Sequence, residues 1–104
     1  VRQPPLSMIL RTVHMHFRPE AVPEFLALFE AHRDAIASQP GCRAVHLIQS
    51  QDTPERLGTV SLWESPDNLE AYRQSELFGT VWPATKALFA SKPTAESHRL
   101  LWSS

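Results

Sequence analysis

The sequence predicts an α+β protein of the ferredoxin-like kind, β-α-β-β-α-β, with a four-stranded antiparallel sheet and its helices on one face. Three observations carry that expectation. Apolar residues alternate with period two in several stretches and recur at helical spacing in the segments between them. Turn-forming residues fall at the junctions. The 104 residues, 42% of them hydrophobic, suffice for one domain core and would leave two domains short.

Residues 1–7 contain Pro4-Pro5 and little apolar content. They read as a flexible arm without the apolar stretch of a secretory signal, and Met8 is a candidate start of a single domain over 8–104. Over 8–17, Ile9, Val13, Met15 and Phe17 point one way, with Arg11 interrupting, while Leu10, Thr12, His14 and His16 point the other. That alternation predicts a strand. Arg18-Pro19-Glu20 turns the chain. Val22, Phe25, Leu26, Phe29, His32 and Ile36 then recur at helical spacing, with Glu20 and Glu24 near the positive helix end. Pro23 is tolerable only in the first turn and fixes the start, and Pro40-Gly41 ends the segment.

Residues 42–51 form a second predicted strand, with Ala44, His46 and Ile48 opposite Val45 and Leu47. A turn cluster over 52–55 leads to a third strand over 56–64, with Leu57, Thr59, Ser61 and Trp63 on one face and Val60 and Leu62 on the other. The short link favours an antiparallel pair. Ser65-Pro66 is a helix start: serine caps free amides, and proline at the first helical position sacrifices no needed N–H. That helix carries Leu69, Tyr72 and Arg73. Residues 75–79 read as a short turn or helical step, and Pro83 is expected to open a further helix that Lys92-Pro93 stops. Residues 95–102 complete a fourth strand.

Composition narrows the function. Ten Lys and Arg against eleven Asp and Glu advertise no basic face, so no nucleic-acid partner is expected. The longest apolar run, 25–29, is far below the roughly 20 residues that span a bilayer, so no membrane is expected either. One cysteine excludes an internal disulfide and a multi-Cys zinc site within one chain. The three glycines are scattered, which excludes the dinucleotide fingerprint and the P-loop. A soluble, cytoplasmic protein is expected. The sheet face carrying Leu10, Thr12, His14 and His16 has no formal charge at neutral pH and needs a cover; a two-fold homodimer is the commonest way to supply one.

Trp63-Glu64-Ser65, the run Leu69-Glu70-Ala71-Tyr72-Arg73, Ser75-Glu76-Leu77-Phe78, and Val81-Trp82-Pro83 with Lys86-Ala87-Leu88-Phe89 together resemble the antibiotic-biosynthesis-monooxygenase (ABM) family. The likeness extends back through Pro40-Gly41-Cys42 and covers roughly residues 8 to 102. It implies a dimeric α+β barrel, two ferredoxin-like sheets facing each other, each subunit with a cleft between helices and sheet. Characterised members include oxygenases that oxidise phenolic or quinol-like substrates without metal or flavin, and others that degrade haem. The haem-degrading branch uses an Asn on the first strand, a Trp on the second helix and a His ten residues later; the matching positions here are Val13, Tyr72 and Trp82. Valine cannot hydrogen-bond an iron-bound ligand and tryptophan offers no imidazole-like lone pair, so haem degradation by that route is not expected. The cofactor-free branch uses an Asn four residues before the strand-end Trp. Here that position is Thr59, whose hydroxyl can donate one hydrogen bond to a phenolate or enolate oxygen.

Trp63, Tyr72, Phe78 and Trp82 concentrate aromatic surface and are candidates to line a flat cleft, with Thr59 and Val13 beside them; the alternative is ordinary core packing. His32, on the apolar side of the first helix, is a candidate base if it overhangs the cleft, and otherwise a helix-flank histidine with one hydrogen bond. His14 and His16 at H-x-H spacing would bind a metal only with a third ligand from His46 or His98, and an interface pair is the plainer reading. Cys42 reads as a small buried side chain. The expected function is cofactor-independent oxidation of a small phenolic or quinol-like aromatic by dioxygen, with Tyr72 and His32 catalytic and Trp63, Trp82, Thr59, Phe78 and Val13 holding the substrate. The alternative is a binding dimer of the same fold without turnover.

Overall fold

Alternating strand faces and capped helices assemble as the sequence implies. The computed structural model describes residues 7–104, so the arm expected over 1–7 lies, apart from Ser7, outside the described residues. The elements are β1 (Ile9–His16), a 3-10 turn (Pro19–Ala21), α1 (Val22–Ala37), β2 (Cys42–Gln49), β3 (Arg56–Trp63), α2 (Pro66–Arg73), α3 (Glu76–Lys86) and β4 (Thr94–Arg99). The sheet order is β2-β3-β1-β4 with every neighbouring pair antiparallel, the split βαβ topology. No helix among the described residues is long and apolar enough to cross a membrane.

Register decides what each face shows. Val13 sits opposite Thr59 and Ala95, Arg11 opposite Ser61 and Ser97, and Ile9 opposite Trp63. Directly paired residues share a face, so these side chains all lie under the helices. Leu10, Thr12 and His14, with Val60 and Leu62 across the ladder, fall on the other face, where no helix packs.

The core gathers at one end of the sheet, where Met15 and Phe17 from β1 and its end meet Phe25, Leu57 and Leu88. Phe17 is fully buried, its ring stacked on Phe25 at 4.3 Å and tilted against Phe89 at 5.2 Å. At the other end α2 is set by its cap: the Ser65 hydroxyl accepts from the Asn68 amide at 3.1 Å, with Pro66 in the first turn. The Gly41 turn before β2 adopts φ +80°, and a Cβ there would strike the Asn68 side chain. One glycine thus admits both the turn and the start of α2.

Three boundaries differ from expectation, one of them the end of α3, which stops at Lys86 rather than at Lys92-Pro93. Residues 75–86 do not divide into a step and a helix opened by Pro83: α3 runs unbroken from Glu76, and Pro83 lies inside it. Ser75 starts that helix instead, its hydroxyl accepting from the Phe78 amide at 3.1 Å. Proline removes the bond to the carbonyl four residues earlier, here that of Gly79. Both residues are exposed and nothing crowds Gly79, so the cost falls where water can satisfy the carbonyl. The fourth strand ends at Arg99 rather than at 102, because β1 begins at Ile9, the partner of Arg99. One further bond, from the Leu100 amide to the Met8 carbonyl at 3.0 Å, closes the ladder, and Leu101 and Trp102 are exposed.

Candidate functional site

Away from the Phe17 core, helices and sheet do not close on each other. They leave a hollow of about 220 Å³ between α1, α2, α3 and the helix-facing side of the sheet. Val13 and Thr59 form part of its floor, paired across β1 and β3. Trp63, Tyr72, Phe78 and Trp82 line its wall. The structure therefore brings six of the seven predicted site residues together.

The rings form a continuous arc. Trp63 and Tyr72 stack at 5.2 Å, Tyr72 meets Phe78 edge-on at 5.2 Å, Phe78 stacks on Trp82 at 5.8 Å, and Trp82 meets Phe89 edge-on at 5.8 Å. Each contact is within the range at which aromatic pairs attract. The arc ties the hollow to the core, since Phe89 also touches Phe17. Trp63 is only 1% exposed, and its indole N–H donates to the Ser61 hydroxyl at 2.9 Å, so it backs the wall behind Tyr72 and offers no free donor. The Tyr72 hydroxyl makes no hydrogen bond within the described residues and is therefore available to a guest.

Burial, with a smaller contribution from neighbouring Cys42, pushes the Tyr72 phenol up to about 12. It is a neutral donor throughout the physiological range. The Cys42 thiol is itself pushed up by burial, which disfavours the thiolate a nucleophile needs.

His32 is the one predicted residue the structure does not bring to the others. Half-buried on α1, its Nδ1 donates to the Leu28 carbonyl at 2.9 Å, and it is not among the side chains lining the hollow. A backbone acceptor one turn earlier is the ordinary partner of a helix-flank histidine. His14 and His16 lie on the open sheet face, where the Nδ1 of His16 is 3.3 Å from the Ser91 hydroxyl. Among the described residues no group of three His, Cys, Asp or Glu is placed to hold a metal ion.

Of the lining residues outside the predicted set, two are charged: Arg11, from the floor, and Arg73, from the end of α2. Arg11 was visible in the sequence as a charge interrupting an apolar face. Its approach to Arg73 depends on how α2 packs, which periodicity does not report.

The family described as antibiotic biosynthesis monooxygenase matches residues 8–82. Among solved structures, a conserved protein from Methanosarcina mazei Go1 is 20% identical and superposes with a TM-score of 0.87, covering 91% of this chain and 94% of that one. A crystal structure of an antibiotic biosynthesis monooxygenase is 20% identical with a TM-score of 0.83, covering 88% and 97%. SnoaB, a cofactor-independent oxygenase from Streptomyces nogalater, is 16% identical with a TM-score of 0.83, covering 93% and 96%. At these identities the structures share the fold. No curated protein sequence matches the chain.

Proposed function

The chain belongs to the antibiotic biosynthesis monooxygenase family, and from that footing we propose that the hollow is the active site of a cofactor-independent monooxygenase acting on a small phenolic or quinol-like aromatic. The observation that carries the reading is the arc of Trp63, Tyr72, Phe78 and Trp82 around an open space. A wall of rings offers flat apolar surface to a flat guest, and a few polar groups then fix its orientation. Here those groups are the Tyr72 hydroxyl and Thr59. The space is smaller than the roughly 300–1,000 Å³ usual for ligand pockets, which suits a guest of one or two fused rings.

The chemistry asks little of the protein. A phenol loses its proton, and the delocalised anion reduces dioxygen at a ring carbon. One oxygen atom ends as the product carbonyl and the other leaves as water, so the substrate supplies the electrons. The protein orients the anion and excludes water from the intermediates. Tyr72, held neutral, would donate to the anionic oxygen, with Thr59 as a second donor. The open sheet face, with Leu10, Val60 and Leu62, is proposed to be covered by a second copy of the chain.

One observation favours the second reading, binding without turnover. Among the described residues the titratable groups lining the hollow are Arg11, Tyr72 and Arg73, with no histidine, cysteine or carboxylate there to serve as a base. Oxygenase activity therefore requires a substrate that ionises readily. Oxygen uptake with a panel of one- and two-ring phenols and quinols separates the two readings. Turnover by the protein after exhaustive metal chelation supports the oxygenase; tight binding of the same compounds without oxygen uptake supports the binding protein.

A further inference from the structure

Formal charge enters the hollow at one side only, where it is of a single sign. Arg11 and Arg73 both line it, and no aspartate or glutamate does. Arg73 is paired on the outside, its Nη1 3.3 Å from Oε1 of Glu70 one helical turn earlier. Among the described residues Arg11 has no carboxylate partner. Its Nη1 donates to the Ser97 hydroxyl at 3.0 Å, a neutral contact that uses one of five guanidinium N–H donors.

This arrangement works against the free protein. A half-buried guanidinium has surrendered part of its hydration, and a second one beside it adds repulsion. Both effects act on Arg11, burial first and Arg73 second, and both lower its hold on the proton. A position that served packing alone would be better filled by an apolar residue like its face-mates Ile9 and Val13. An anion at this side of the hollow would relieve both penalties at once, and a planar guanidinium matches a carboxylate or an enolate-type pair of oxygens edge to edge.

We propose that Arg11, with Arg73, is a specificity-determining site for negative charge, so that the guest of the hollow is a planar aromatic bearing an anionic oxygen at its rim. The inference rests on the reading of the hollow as a ligand site and narrows its substrate class. It also answers the lack of a base: two fixed cations favour the ionised form of a bound phenol or carbon acid, so the field of the site assists the proton loss. Arg11 would bind the charged oxygen while the ring lies along Tyr72, Phe78 and Trp82.

The test uses 2-naphthoate and 2-naphthamide, matched in shape and differing in charge, with binding read by quenching of tryptophan fluorescence. The intact protein is expected to bind the carboxylate about tenfold or more tightly than the amide, the usual advantage of a charge-assisted hydrogen bond. Arg11→Gln should abolish that preference, the carboxylate weakening by about tenfold or more relative to the amide. Arg73→Gln, on an exposed position of α2, provides a second variant should the first fail to fold by circular dichroism; it should reduce the preference. Equal binding of the two compounds by the intact protein overturns the charge inference and leaves the hollow as a site for neutral rings. Binding of neither compound overturns the ligand-site reading and this inference with it.

Discussion

Replacing Tyr72 by phenylalanine removes one oxygen atom and leaves the ring contacts with Trp63 and Phe78 in place. Within the described residues the hydroxyl has no partner, so the folded state should lose almost nothing: within about 0.5 kcal/mol, or a thermal midpoint shift below about 4 °C for a domain of this size. A guest should notice the change. If the hydroxyl donates to a neutral oxygen, the loss is about 0.5–1.5 kcal/mol, roughly two- to tenfold in affinity. If it donates to a phenolate or enolate, the loss is about 1.5–3 kcal/mol, roughly ten- to a hundredfold, and it falls chiefly on turnover because charge on that oxygen grows toward the transition state. Oxygen uptake against quinol concentration, beside a thermal melt, separates these cases. Unchanged affinity and turnover would refute the placement of the hydroxyl against the guest. A melting point lowered by more than about 8 °C would refute the claim that the hydroxyl has no structural partner.

Tyr72 is the only tyrosine in the chain, so phenolate absorbance reports it alone; its midpoint should lie near 12, and one near 10 would show that it is not buried beside Trp63. The linked stability has a definite sign. Because the unfolded phenol releases its proton first, stability should fall as pH rises from about 10 to about 12, and Tyr72→Phe should flatten that slope in denaturant titrations. Phe17→Ala should cost about 3–5 kcal/mol in urea unfolding, since a fully buried ring stacked on Phe25 leaves a cavity. Ser65→Ala should cost about 1 kcal/mol through the lost cap on the Asn68 amide, measured the same way. Gly41→Ala should destabilise by more than that, because it meets both the left-handed backbone and the Asn68 side chain.

Much of the molecule was legible where one local rule decided the outcome. Period-two alternation separated Val13 and Thr59 from Thr12 and Val60, and Ser65-Pro66 marked the start of α2. The aromatic candidates converged because strand and helix faces, once assigned, leave their rings little choice of direction. Legibility failed where the deciding partner was distant. Pro83 reads as a helix start, yet Ser75 supplied an earlier cap and solvent tolerated the missing bond at Gly79. The fourth strand stopped where its neighbour β1 ran out, a limit written in residue 9 rather than near residue 99. His32 sits at helical spacing with core residues, but its ring bonds to its own helix. Arg11 stood out by breaking an apolar face, and its significance emerged only with Arg73 beside it and no acid among the described residues lining the hollow.

The account turns on a guest lying within the arc of rings, and crystals grown with a hydroxylated naphthoate test this most directly. Difference density for a flat molecule is expected in the hollow against the arc of Tyr72, Phe78 and Trp82, with its charged oxygen toward Arg11. A hollow still empty at saturating ligand, with the compound bound elsewhere or not at all, would contradict the account.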